Sequence, residues 1–451
     1  MTENIKQKIN SILDAEKNDM IGFLQELLRV PSVASEPLKD MPYGEKIAEV
    51  QSIARKKADD MGFITGSFED KIVTVDFNEK ETKEGFIAHL DVVPAVAEQW
   101  TYPPYDGTIK DNIIYGRGVI DDKGPAVAAL WAMYAVKKAG IDLKYNVRLL
   151  LGGAEETGMS DFADYVKKKT IPEYFFTPDG VFPIGIGERG LIKIIYNGKT
   201  SSAKIRSIES GNAVNIIPET AAAVIDGISK AELEQIISGF GFDMPYEISD
   251  GLTIKFTGKP AHASEPQNGV NALTALVSVL AKIEPENELI SDLNRAFPHG
   301  IYHGAGLGIE GDKINISLTQ LKFDGENVFY TCDGRVHETE STKAYVDMIK
   351  NALTHDYKID MIEHHLVDSD SKLVKTLQEI YKAETGLEPE TYTMAGLTYA
   401  HYAENGVVFG GYIPGDGSGN LHAVDECYNL DTMLKMAKMI AHSIMEFCEA
   451  E

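Results

Sequence analysis

The chain has 451 residues, 43% hydrophobic and 25% charged, with a formal net charge of −26. That length accommodates two compact units, and the composition is that of an ordinary soluble globular protein. A polyanion of this size is repelled by phosphate backbones and anionic lipid, which excludes nucleic acid and membrane surfaces as expected partners. The three cysteines, Cys332, Cys427 and Cys448, form neither an even framework nor a Cys-x-x-Cys pair, so neither disulfides nor a thiolate metal site is expected. The opening MTENIKQKIN lacks a basic run followed by an apolar core, and no apolar stretch approaches the roughly 20 residues of a membrane span. A reducing cytoplasm is the expected location.

In chain order, residues 4–29 read as one or two amphipathic helices stopped by Pro31, and 44–60 as another. Strands follow at Ile72–Phe77 and Gly85–Leu90, then a small-residue helix over Gly124–Lys138 with Pro125 in its first turn. The strand Asn146–Leu151 runs into Gly152-Gly153-Ala154-Glu155-Glu156, and Tyr174–Phe176 reads as a buried strand after a further short helix. This alternation predicts an α/β sheet with helices on its faces. Near Gly187-Glu188-Arg189-Gly190 the pattern becomes period-two, with strands at Leu191–Tyr196, Leu252–Phe256 and Ile314–Phe323 and helices near 268–283 and 341–355. That predicts a separate α+β unit. A helix over Ser371–Ala383, glycine-rich loops and a final helix from Asp431 complete the chain.

Four separated segments carry candidate metal ligands, each after an apolar strand. They are His89-Leu90-Asp91; Gly116 to Gly124 with Asp121 and Asp122; Glu155-Glu156 with Asp179 beyond; and Asp416 with His422 and Glu426. Carboxyl ends of strands are where ligands gather in α/β sheets. Imidazole and carboxylate without sulfur suit zinc, manganese or cobalt. A pair of divalent ions needs a bridging carboxylate, for which Asp121 is well placed, and a shared water that becomes hydroxide near neutral pH. A nearby carboxylate can take its proton. Each residue also has a plain structural reading. A Glu-Glu pair is usually a solvated face, Gly-Arg-Gly a turn, Asp179 beside Pro178 a turn acid, and His422 a surface histidine. The ordered set is what carries the signal.

That set resembles the aminoacylase/carboxypeptidase-type family of co-catalytic metallopeptidases, and within it the PepV-type dipeptidases. The resemblance spans essentially the whole chain. It rests on Ala88-His89-Leu90-Asp91-Val92-Val93-Pro94, Tyr115 to Gly124, Glu155-Glu156-Thr157-Gly158, Gly187-Glu188-Arg189-Gly190 and Gly258-Lys259-Pro260-Ala261-His262-Ala263-Ser264. It implies a zinc-peptidase-like mixed sheet flanked by helices, formed by residues 1–186 and 367–451, with an inserted α+β lid over 187–366. It further implies two divalent ions, Zn2+ first and Mn2+ or Co2+ as alternatives. His89 and Asp179 would hold one and Glu156 and His422 the other, with Asp121 between them. Asp91 would orient His89. Glu155 would be the general base, and Glu155 and Glu156 must leave regular strand geometry to share one site. A cis peptide is expected between Asp121 and Asp122.

From the lid, His262 would stabilise the tetrahedral oxyanion. Asn215 and Arg335 would contact substrate, as would Thr398 and His401 near the C-terminal end. The long lid resembles a doubled one that supplies its histidine within one chain, so a monomer is expected. One segment departs from the pattern. Ala395-Gly396-Leu397-Thr398-Tyr399-Ala400-His401 stands where PepV-type enzymes carry Gly-Gly-Thr-Tyr-Ala-Arg. An arginine there would grip a substrate carboxylate in bidentate fashion, which imidazole cannot do. The expected activity is cleavage of a dipeptide or short peptide. The alternatives are deacylation or desuccinylation of an N-acyl amino acid at the same metal centre, and a metal-stabilised binding protein without turnover.

Overall fold

In a computed structural model of the chain, the residues described are 3–249, 251–353 and 355–448. The chain divides into two compact units, one running through Gly187 and resuming at Val367, the other comprising Glu188–Leu366.

The larger sheet of the first unit contains, in spatial order, Ile64–Phe68, Ile72–Asp76, Asn146–Gly152, Thr82–His89, Tyr174–Thr177, Gly406–Val408 and Ile184–Glu188. Its four central strands, from Asn146–Gly152 to Gly406–Val408, are parallel, and Ile72–Asp76, Ile64–Phe68 and Ile184–Glu188 join them by antiparallel pairings. Such strands are covered on both faces, so they read as continuous apolar runs such as Phe86-Ile87-Ala88. One face packs on Glu3–Leu28, Lys123–Lys138 and Leu430–Phe447, with Phe86, Ala88, Leu149 and Leu151 pointing into that core. The other meets a smaller cluster of Ile87, Leu150, Phe162, Phe175 and Tyr399. By alternation His89 belongs to the Ile87 side, and its ring lies edge-on to Tyr399, 6.5 Å between centroids. Glu3–Leu28 is one unbroken helix. Lys123–Lys138 is buried on nearly every side, as its alanines and lack of a polar stripe require.

The second unit is an antiparallel eight-stranded sheet in the order Tyr246–Ser249, Thr253–Thr257, Thr220–Ile225, Ile205–Ser210, Ile314–Phe323, Asn327–Val336, Gly190–Lys199, Lys358–Ile362. Period-two burial along Gly190–Lys199 matches a sheet with one face on a core. The expected helices form at Ala272–Ile283 and Thr342–Ala352. The first starts at Ala272 because the Asn271 side chain accepts from the Leu273 and Thr274 N–H groups. Two helices went unread in the sequence, Lys230–Ser238 and Glu288–Ala296. Ser229 and Glu232 form a full capping box on the former, a signal that was present in the sequence. Among the described residues no helix is long and apolar enough to cross a membrane. All three cysteines are buried free thiols.

Candidate metal centre

Three neighbouring parallel strands deliver most of the candidate ligands. Thr82–His89 ends on His89 with Asp91 just beyond, Asn146–Gly152 leads to Glu155-Glu156, and Tyr174–Thr177 stops two residues before Asp179. Parallel register brings these ends level, where the backbone leaves the ladder and side chains converge. Asp121 enters from just before the helix Lys123–Lys138, and its peptide bond to Asp122 is cis. His422 comes from a glycine-rich loop and has a left-handed backbone, φ 58°.

His89 Nε2 lies 2.9 Å from Asp121 Oδ1 and 3.7 Å from Asp179 Oδ2. His422 Nε2 lies 3.0 Å from Asp121 Oδ2 and 3.0 Å from Glu156 Oε1. Two groups result, His89–Asp121–Asp179 and Asp121–Glu156–His422, each with ligand atoms within 4.8 Å of one another. Asp121 belongs to both and turns a different oxygen to each histidine.

The hydrogen bonding indicates what these groups suit. His89 Nδ1 donates to the Asp91 carbonyl at 3.0 Å, with the Asp91 carboxylate 3.4 Å away. A neutral ring therefore presents its Nε2 lone pair to two carboxylates. That contact is repulsive unless a positive charge intervenes, either a second ring proton or a metal cation. Imidazole and carboxylate donors with no thiolate fit a divalent ion.

The charges of the cluster point the same way. Burial, with repulsion from Asp121, pushes Asp179 up to about 7. Burial also pushes Glu155 well above the carboxylate range, against the pull of His89 and with repulsion from Asp179, Glu156 and Asp121 in the same direction as burial. Burial raises Asp121 too, but hydrogen bonds from His422 and His89 overcome it and hold that acid below its ordinary value. Hydrogen bonds to Asp121 and Glu156 push His422 up to about 11. Acids and imidazoles that hold their charges only by sharing protons would be satisfied by cations instead.

Glu155 and Glu156 sit in a turn, having left the strand as expected. The Asp91 carboxylate accepts from the Glu155 N–H at 3.2 Å and the Glu156 N–H at 3.1 Å, so Asp91 holds that turn as well as His89. Two candidates of the fourth segment lie elsewhere. Asp416 makes a local cap, accepting from Thr432 Oγ1 at 2.6 Å and the Ser418 N–H at 2.8 Å. Glu426 is buried against the 117–121 loop, pairing with Arg117 at 2.6 Å and accepting from the Gly118 and Ile120 N–H groups at 3.1 and 3.2 Å. The sequence showed neither this bracing of the Asp121 loop by Glu426 nor the anchoring of buried Lys123, whose ammonium donates to the Leu27 and Val30 carbonyls.

Thr398 caps the short turn Tyr399–Tyr402, its hydroxyl accepting from the Ala400 N–H at 3.2 Å, and His401 lies within that turn. Neither belongs to the two metal-type groups. In the second unit, His262 is exposed and its Nδ1 faces the Ser264 N–H at 3.2 Å and the Ser264 hydroxyl at 2.6 Å. Nδ1 therefore accepts, and Nε2 carries the proton of the neutral ring. Asn215 pairs with this segment through its carbonyl, which accepts from the Ala263 N–H at 2.8 Å. Arg335 is buried and forked onto Asp333 at 2.8 and 3.1 Å. Its cross-strand neighbour Asn315 donates to the Ser264 carbonyl at 3.1 Å, so Arg335, Asn215 and His262 share one region of this unit.

Residues 85–446 match peptidase family M20/M25/M40. YtjP of Bacillus subtilis (strain 168) is 30% identical, the match covering 96% of this chain and 98% of that one. The Beta-Ala-Xaa dipeptidase of Lactobacillus delbrueckii subsp. lactis is 29% identical, with 98% of both chains covered. Among solved structures, human carnosine dipeptidase 1 superposes with a TM-score of 0.62 over 99% of both chains at 15% identity, a likeness of fold.

Proposed function

We propose the following activity for a chain that belongs to peptidase family M20/M25/M40 and is a metallopeptidase: it cleaves dipeptides or short peptides with two divalent cations at one centre. The observation that carries this reading is the sharing of Asp121 between two three-residue groups of metal-ligand type. His89 and Asp179 would complete one site and Glu156 and His422 the other, with Zn2+ the first candidate and Mn2+ or Co2+ the alternatives. When bound, the cations supply Lewis acidity, polarising the scissile carbonyl and acidifying the attacking water.

The chain's own residues do the rest. Glu155 takes the water proton and returns it to the leaving amine, a role open to a carboxylate that adjoins Glu156 but belongs to neither of the two ligand groups. Asp91 fixes the His89 tautomer and, through two backbone N–H groups, the position of Glu155. His262 of the second unit, which acts as a lid, offers its Nε2 proton to the oxyanion. Asn215, Arg335, Thr398 and His401 bind substrate. The enzyme acts as a cytoplasmic monomer.

Hydrolysis by metal-reconstituted protein of a dipeptide panel beside an N-acyl amino acid panel tests this reading, with Glu155→Gln as control. A relative named for Beta-Ala-Xaa cleavage puts β-alanyl dipeptides on that panel. Dipeptide cleavage that disappears in the variant is the expected result. Turnover of acyl amino acids alone would move the chain to a deacylase, a shift that His401 in place of arginine makes chemically intelligible.

A further inference from the structure

Asp161 and Tyr399 are buried polar groups that the proposed mechanism does not use. Asp161 lies in the first turn of the helix Ser160–Lys168 and is fully buried, as is Tyr399. Asp161 Oδ2 accepts from the Gly153 N–H at 2.8 Å, the Ala154 N–H at 3.2 Å and the Tyr399 hydroxyl at 2.7 Å, while Oδ1 accepts from the Phe162 N–H at 2.8 Å. Among the described residues no cationic side chain pairs with it, so these hydrogen bonds alone meet its charge.

Four successive N–H groups are thus held by two buried carboxylates. Asp161 takes those of Gly153 and Ala154, and Asp91 takes those of Glu155 and Glu156. Space is tight around the first pair. A Cβ at Gly152 would stand 2.1 Å from the Tyr399 hydroxyl and 2.7 Å from Asp161 Oδ2, so glycine is required there. Tyr399 lies between Thr398 and His401 in sequence, and its ring is edge-on to His89. One hydroxyl therefore joins the loop assigned to substrate with the turn assigned to base and ligand.

We propose that Asp161 and Tyr399 are positioning residues. They fix the front half of the 153–156 turn as Asp91 fixes its back half, and so set where Glu155 and Glu156 stand relative to the loop carrying Thr398 and His401. This rests on the roles proposed above for Glu155 and Glu156. Partners that orient a metal site from outside commonly contribute about tenfold or more to affinity or rate.

The test uses full-length, metal-loaded protein and Tyr399→Phe, which keeps the ring and removes the hydroxyl. The readouts are kcat, KM and the affinity of the weaker cation by competition with a chromophoric chelator. The expected result is a kcat about tenfold lower, KM changed by less than about threefold, and a weaker second cation about fivefold looser. Asp161→Asn should give the same pattern, and the double variant should cost no more than the worse single one. In a Glu155→Gln background the hydroxyl should have little further effect on kcat but still loosen the cation. Unchanged kcat and cation affinity in folded Tyr399→Phe would overturn the proposal, as would a loss that multiplies fully with Glu155→Gln. If Glu155→Gln alone kept full activity, the assignment of the base would fail instead, while cation affinity would still judge the positioning pair.

Discussion

In the first unit, most of the converging groups are buried, His89 and Asp91 at a parallel strand end being 0% exposed and Asp121 before the helix Lys123–Lys138 7% exposed, while His422 stands exposed on its glycine-rich loop. In the second, His262 lies exposed on a loop between an antiparallel strand and a helix. Buried groups of this kind are held by each other and by backbone donors, so their geometry is set before anything binds. The exposed His262 has its tautomer set by Ser264. The difference separates a rigid centre, where removing one group disturbs the others, from a single donor whose loss should leave the centre whole.

The strongest way to break that comparison is Glu155→Gln. The account expects kcat to fall by about 10³-fold while two cations still bind, because the base is not itself a ligand. Activity and metal content measured on the same sample check this. Next comes His262→Ala, expected to lower kcat by about 10²-fold, the typical value of one oxyanion donor, with cation affinity unchanged. Looser metal in that variant would contradict the separation of roles.

The smallest effect concerns the opposite end of the His89 strand. Glu84 is buried, accepts from Ser443 Oγ at 2.7 Å, and is pushed up to about 8 by burial. Its folded pKa exceeds its unfolded value. Its contribution to stability is therefore full below the unfolded pKa and lost as pH rises through the folded one. Melting temperatures between pH 5 and 8 should fall less steeply in Glu84→Gln than in the parent chain.

Much of the centre was legible because strand-end motifs keep their partners close in sequence. His89 with Asp91, and Glu155 with Glu156, are read as pairs, and the apolar strands before them show where they emerge. What stayed hidden depends on pairings across hundreds of residues. Glu426 braces the Asp121 loop and Tyr399 reaches Asp161 through contacts that no local pattern announces. Asp416 looked like a ligand but is absorbed by a local cap, the ordinary fate of an acid near turns. In the second unit the sheet followed from the period-two residue pattern, whereas Glu288–Ala296 was missed although Asn287 caps it. Arg335, expected to contact substrate, is buried and forked onto Asp333 in its own strand.

The central claim is that two cations share Asp121. Anomalous diffraction at the zinc edge from crystals of zinc-loaded protein tests it most directly. The account expects two peaks flanking Asp121, one beside His89 and Asp179 and the other beside Glu156 and His422. A single peak at full loading, or a second ion away from Asp121, would contradict it.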